Sequence, residues 1–254
     1  MNEAVQSLGY GLAALLFCAV ICAICQMIKK LAYWFLHHEK PQSHNSHKKL
    51  LWREYRTASN RKSISFRGIK LMSEDLVIRH CAPTLAGIKT GNLFSCACPC
   101  KAALTKELCR LNRKLVPKGI RALPLRVQKG RALIYVYRPN ALECDLADHC
   151  SRGLLLQYGY TPEDSNRCVI HLIQRLRSDG EFPHEIGLFL SYPPEDVLGF
   201  ILNKACNHKC VGCWKVYSDE QAAKCIFRRY KKCSKIYSQQ WEQGKSIEQL
   251  TVAG

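Results

Sequence analysis

The sequence predicts an α+β domain, a small mixed sheet with surrounding helices, behind one N-terminal transmembrane helix. Three observations support this. Residues from Ala4 to Ile28 carry no charge, and about 20 apolar residues suffice for a helix to cross a bilayer core. Two runs rich in β-formers, Ile120 to Val127 and Arg131 to Arg138, flank the short turn Gln128-Lys129-Gly130, which reads as a β-hairpin. The remaining segments show helical spacing without a regular strand–helix–strand alternation.

The apolar run has the character of an anchor rather than a cleaved leader. Glu3 is the only charge before it, and no small-x-small cleavage pattern follows it. Lys29 and Lys30 close it, then Tyr33, Trp34 and Phe35 supply an interfacial aromatic belt. Residues 29–70 hold eleven Lys or Arg against Glu39 and Glu54, half of the chain's net +18. Positive flanks stay on the cytoplasmic side, so the N-terminus is expected outside and the domain in the cytoplasm of a single-pass protein of the cell membrane. The basic stretch 29–70 suits anionic lipid heads. Nucleic acid is the less favoured partner, because no basic and aromatic recognition module stands out. The expected organisation is an anchor over 1–36, a basic linker over 37–65, a cytoplasmic α+β domain over 66–242 and a tail over 243–254.

Within the domain, Leu104, Leu108, Leu111 and Leu115 recur at helical spacing up to Pro117-Lys118-Gly119. The hairpin follows. Pro139 stops its second strand, and Asn140 to Tyr158 reads as a helix with a break at Gly153. Thr161, ahead of Pro162, caps the next helix, which carries Val169, Leu172, Ile173 and Leu176 and stops at Gly180. His184 to Leu190 is a short apolar strand or buried helix. Pro193-Pro194-Glu195-Asp196 opens a helix to about Asn203. Lys209 to Tyr217 reads as a strand, and Ser218-Asp219-Glu220 caps a final basic helix from Gln221 to about Trp241.

Three stretches carry a family resemblance. They are His80-Cys81-Ala82-Pro83-Thr84-Leu85-Ala86-Gly87-Ile88-Lys89 with Asn92-Leu93-Phe94; Phe182 to Leu190 running into Tyr192-Pro193-Pro194-Glu195-Asp196-Val197; and Lys209-Cys210-Val211-Gly212 with Trp214-Lys215-Val216-Tyr217. Over about 72–238 the chain resembles a bacterial family of unknown function, domain of unknown function 3793. The resemblance implies a bacterial source and a shared fold, and no mechanism.

The 16 cysteines are expected as thiols, since the cytoplasm keeps them reduced. Cys81 with His184 as base and Glu185 orienting the imidazole is the candidate nucleophilic arrangement, with Cys81 near a helix N-terminus that would lower its pKa. Lys89, Tyr192, Lys215 and Tyr217 are candidate ligand-binding residues, and the segments 183–192 and 210–217 are expected side by side near Cys81. Two thiol clusters are candidate zinc or iron–sulfur sites. Cys96, Cys98 and Cys100 alternate along an extended loop. Cys206, Cys210 and Cys213, with His208 between them, have cluster-like spacing. The same spacing recurs at Cys18, Cys22 and Cys25 inside the anchor, where no such site forms. No phosphate-binding loop, dinucleotide fingerprint or zinc-protease motif is present, so no cofactor is assigned. The reading of the domain is a binding module of uncharacterised activity, with a thiol enzyme and a metal-binding protein as alternatives.

The orientation has a direct test. Protease added to intact cells should leave the 66–254 domain undigested, whereas permeabilised cells should lose it; digestion in intact cells would reverse the assigned topology.

Overall fold

The computed structural model describes residues 72–178 and 181–254, so the expected anchor and linker lie outside the described residues. No helix among the described residues is long and apolar enough to cross a membrane. The described part is α+β, as its hairpin and helical periodicities predict.

A three-stranded antiparallel sheet organises the domain, in the order β1 (Gly91–Ala97), β3 (Arg131–Tyr137), β2 (Arg121–Gln128). The hairpin β2–β3 was expected. The edge strand β1 was not, because its Gly-Asn-Leu-Phe-Ser-Cys-Ala sequence has few β-branched residues. Side chains alternate across a strand. Ala132, Ile134 and Val136 of β3 therefore enter one core, while Tyr135 and Tyr137 enter another. Leu123 and Leu125 of β2, two apart, both serve the second core, and a register shift between Pro124 and Arg126 lets Ala122 and Val127, five apart, both meet the first.

The first face is covered by α1 (Glu74–Leu85), α2 (Lys101–Leu115) and the short α8 (Ile247–Leu250). Ser73 caps α1 with its hydroxyl, and Glu74 and Asp75 complement its dipole. The four leucines predicted on α2 are the four it buries. Asn112 of α2 both donates to the Ala122 carbonyl and accepts from the Ala122 N–H, each at 2.8 Å. This amide thus pairs with the edge of β2 as another strand would. The second face is covered by α3 (Pro139–Ala147), α4 (His149–Gln157), α5 (Ser165–Arg177), a 3-10 segment His184–Leu190 and α6 (Pro194–Leu202). A small hairpin, β4 (Cys210–Val211) and β5 (Lys215–Val216), precedes the long α7 (Glu220–Glu242), which packs along α1.

Several local expectations are corrected. The helix expected over 140–158 breaks at Asp148, not Gly153, because the Asp148 carboxylate caps α4 by accepting from the Ser151 N–H. The cap of α5 is Asp164, which accepts from the Asn166 and Arg167 N–H groups, rather than Thr161. The segment 184–190 is a 3-10 turn, buried over Glu185–Leu190. Lys209 to Tyr217 is not one strand but two short ones folded on each other.

The expected tail is also part of the fold. Ser246 and Gln249 form a capping box at α8, and Ile247 and Leu250 are buried in the first core. The chain then runs alongside the end of α1, with the Val252 N–H donating to the Leu85 carbonyl at 3.0 Å. Arg138 secures this junction. Its guanidinium donates to the carbonyls of Thr84, Leu85 and Val252 at 2.7–2.9 Å. It thereby satisfies the end of α1 and the C-terminal segment together.

A fragment of residues 66–254 should unfold in a single cooperative transition. Ile247→Ala should lower its stability by about 2–5 kcal/mol in urea titration, the usual cost of emptying a core position. An unchanged midpoint would show that α8 is an appendage.

Candidate ligand-binding cleft

Three elements of the second face and its edge enclose a cleft of about 380 Å³. The 3-10 segment contributes His184 and Ile186, α6 contributes Phe200, and the β4–β5 hairpin contributes Val211, Cys213, Trp214 and Lys215, with Tyr192 and Phe182 at its sides. The walls approach closely because two glycines have no side chain. A Cβ on Gly199 would lie 2.6 Å from the Tyr217 Cβ, and one on Gly212 would lie 2.2 Å from the Phe227 ring.

Asp196 fixes the hairpin on α6. Its carboxylate is 2% exposed and accepts three hydrogen bonds: from the Trp214 indole N–H at 2.6 Å and from the backbone N–H groups of Tyr217 and Ser218 at 2.7 Å each. Burial alone would raise its pKa, but these donors outweigh that effect and hold it below the ordinary carboxylate value. Trp214 so placed stacks on Tyr192 at 4.9 Å and meets Phe227 edge-on at 4.6 Å. The Tyr192 hydroxyl donates to the Cys213 carbonyl at 3.1 Å, closing the wall. Lys215 donates to the Ala205 carbonyl at 2.8 Å and lies over the Phe200 ring. His184 packs between Phe182 and Phe200.

Lys89 stands beside this wall. Its loop is held in place because the Thr90 N–H donates to the Ser191 hydroxyl at 2.8 Å and the Thr90 hydroxyl donates to Asp145 at 2.6 Å. Ser191 adopts the left-handed conformation, φ 55°, that turns the chain into Tyr192. The Lys89 ammonium lies 5.1 Å from the Tyr192 ring centre and 5.7 Å from that of Tyr230. The residue is only 7% exposed. Among the described residues it makes no hydrogen bond and no ion pair, and the thiols Cys213 and Cys81 act on it electrostatically. Desolvation lowers its pKa to about 8. Cation–π contacts are worth about 0.5–2 kcal/mol, whereas burying an unpaired ion costs several. The two rings therefore leave the charge undercompensated.

The residues predicted from sequence divide accordingly. His184, Tyr192 and Lys215 line one cleft, and the segments 183–192 and 210–217 do face each other across it. Cys81 does not join them. It is buried within α1 in the first core, across the sheet from the segment that carries His184, and desolvation pushes its thiol well above the ordinary range. The expected depressed pKa required a helix N-terminus, and Cys81 lies in the second half of its helix. Glu185 turns away from His184, pairing with Arg175 at 2.7 Å and accepting from the Tyr160 hydroxyl at 2.8 Å. The nucleophile–base–orienter arrangement is thus absent. The Tyr217 ring packs on Gly199 and its hydroxyl is buried without a partner among the described residues, so it supports the cleft from behind.

No group of three or more His, Cys, Asp or Glu among the described residues is placed to hold a metal. Cys96 is on β1 and Cys98 just beyond its end, both buried in the first core, while Cys100 is the residue that precedes α2. Burial raises the Cys96 thiol to about 11, with Cys98 adding to the shift. Cys206 and Cys213 are exposed, Cys210 lies in β4, and exposed His208 sits edge-on to Tyr217 at 6.5 Å. Sequence reasoning missed Asp196, Trp214, Phe200 and Cys213 as cleft residues. An acid in the first turn of a helix reads as a dipole partner, which hides the role of Asp196 in holding a hairpin fifteen or more residues away.

These features define a three-layer α+β domain whose described residues include an aromatic-lined cleft. Residues 77–251 match the family model described as protein of unknown function DUF3793, and the chain belongs to that family. No curated protein and no solved structure matches the chain.

The Asp196 bracket has a pH signature. A carboxyl whose folded pKa is depressed contributes stability above its unfolded pKa, about 3.9, and loses that contribution as pH falls through the lower folded value. Asp196→Asn should flatten this acid limb and cost about 1.5–3 kcal/mol at neutral pH, the range for hydrogen bonds to a charged group. Thermal unfolding from pH 2.5 to 7 measures both; a parallel acid limb in the variant would dismiss the assignment.

Proposed function

We propose that the domain is a ligand-binding module, held at the cytoplasmic face of the cell membrane by the apolar segment before it, with the cleft as its binding site. The observation that carries this reading is the cleft itself. Pockets that take small ligands are concave, largely apolar and set with a few polar groups. Here Tyr192, Trp214, Phe200 and Phe182 form the apolar surface, and His184, Cys213 and Lys215 supply the polar positions. The thiol-enzyme alternative loses its nucleophile with the burial of Cys81. The apolar run before it and the basic stretch 29–70 support a location against anionic lipid.

The test uses a simple occupant. Val211 lines the cleft and is 62% exposed, so Val211→Trp fills the mouth without disturbing the core. Calorimetric titration of the full-length protein with 2-naphthamide should give saturable binding that weakens at least about tenfold in Val211→Trp, a difference of about 1.4 kcal/mol. Absence of saturable binding, or equal binding by the variant, overturns the reading.

A further inference from the structure

We propose that the cleft selects ligands that combine an apolar or aromatic body with an anionic group, and that Lys89 is the residue that receives the anion. This inference rests on the binding-module reading above and names the chemical class of its ligand.

Two independent observations converge on Lys89. The first is its electrostatic position. Of the described lysines with strong burial it has neither a carboxylate nor a carbonyl to accept its protons, only the faces of Tyr192 and Tyr230. By contrast Lys114, at a surface position, pairs with both Glu74 and Glu248, and Lys215 has the Ala205 carbonyl. A buried cation without a partner is costly to a fold, and an anion arriving from solvent would remove that cost. The second observation is placement. The residues around the ammonium, Tyr192 and Cys213, are themselves lining residues of the cleft. Lys89 also retains a small exposure. The loop that carries it is tied to the cleft wall through the Thr90–Ser191 hydrogen bond, so its position beside Tyr192 is built into the backbone. Trp214 and Tyr192, stacked at 4.9 Å, offer the flat surface for an aromatic body next to that charge.

The groups facing Lys89 decide how recognition depends on pH. They are Cys81 from α1, Cys213 from the β4–β5 turn, Tyr192 after the 3-10 segment and Tyr230 from α7; Asp145 and Arg229 act on Tyr230 in turn. Burial raises the Cys81 thiol, partial desolvation of the exposed Cys213 raises its thiol above the ordinary value, and burial carries both tyrosines to about 12. Of these the amine alone titrates near pH 8. An anion binds the ammonium and raises its pKa, so its affinity is full below pH 8. The affinity falls as pH rises from about 8 toward the bound-state value, by about tenfold per unit.

The experiment compares 2-naphthoate with its neutral analogue 2-naphthamide on the full-length protein by calorimetry between pH 6.5 and 9.5, in wild type, Lys89→Met and Lys89→Arg. Naphthoate should bind wild type at least about tenfold more tightly than naphthamide at pH 7, with a preference that declines above pH 8. Lys89→Met should abolish the preference while saturable naphthamide binding persists, which also shows that the variant is folded. Lys89→Arg should keep the preference and lose its decline, because a guanidinium stays charged throughout. If Lys89→Met fails to fold, the Arg variant decides alone. Equal affinities for the two ligands, a preference that survives in Lys89→Met, or a decline that persists in Lys89→Arg overturns the proposal while leaving the cleft reading intact. Failure of both ligands to bind removes the cleft reading and this inference with it.

Discussion

From Ala132 to Tyr137 every residue of β3 is wholly or partly covered, because helices pack on both sides of the sheet that this strand centres. A half-exposed antiparallel sheet needs one apolar face; this one needs two. The strand answers with small and branched residues toward α1 and α2, and with two stacked tyrosines toward the 3-10 segment. Tyr135 is the demanding member. Its ring is fully buried, and its hydroxyl reaches across to donate to the Phe189 carbonyl at 2.6 Å. Gly91 on β1 leaves room for it, since a Cβ there would lie 2.6 Å from the ring. Through that bond the sheet sets the level of the 3-10 segment, and with it the floor of the cleft.

Two buried polar groups finish what the apolar cores begin. Arg138 joins the end of α1 to the chain after α8, and Asp196 joins α6 to the β4–β5 hairpin. Each is a single ion hydrogen-bonded to three neutral groups, so neither is left without partners inside. Lys89 differs from both. It is buried to a similar degree, it faces aromatic rings, and no acceptor completes it among the described residues.

The thiols illustrate how composition misleads. Thirteen of the described residues are free cysteines, and their spacings imitate ligand sets. Spacing along the chain does not specify direction. Cys96 on β1 and Cys98 just past its end are two apart on extended chain and both turn inward to the first core. Cys210 lies in β4, Cys213 in the turn that follows and Cys206 ahead of the hairpin, and their sequence proximity does not become convergence. Cys81 and His184 fail for the opposite reason, since the sheet stands between their elements.

Local pattern determined much of this protein. The alternation of 120–138, the leucines of α2, the Pro-Pro-Glu-Asp start of α6 and the Asp219 cap of α7 are all legible because each depends on residues a few positions apart. So is the family resemblance, which rests on contiguous stretches. The tertiary structure decided what depends on distant partners. It made 184–190 a 3-10 turn beneath Tyr135, folded 210–216 into a hairpin held by Asp196, drew α8 into the first core and set Cys81 in that core, apart from His184. It also set Lys89 against Tyr192 and Tyr230, more than a hundred residues away. Burial and the geometry of a charge among rings are properties of the assembled layers, and no window of sequence contains them.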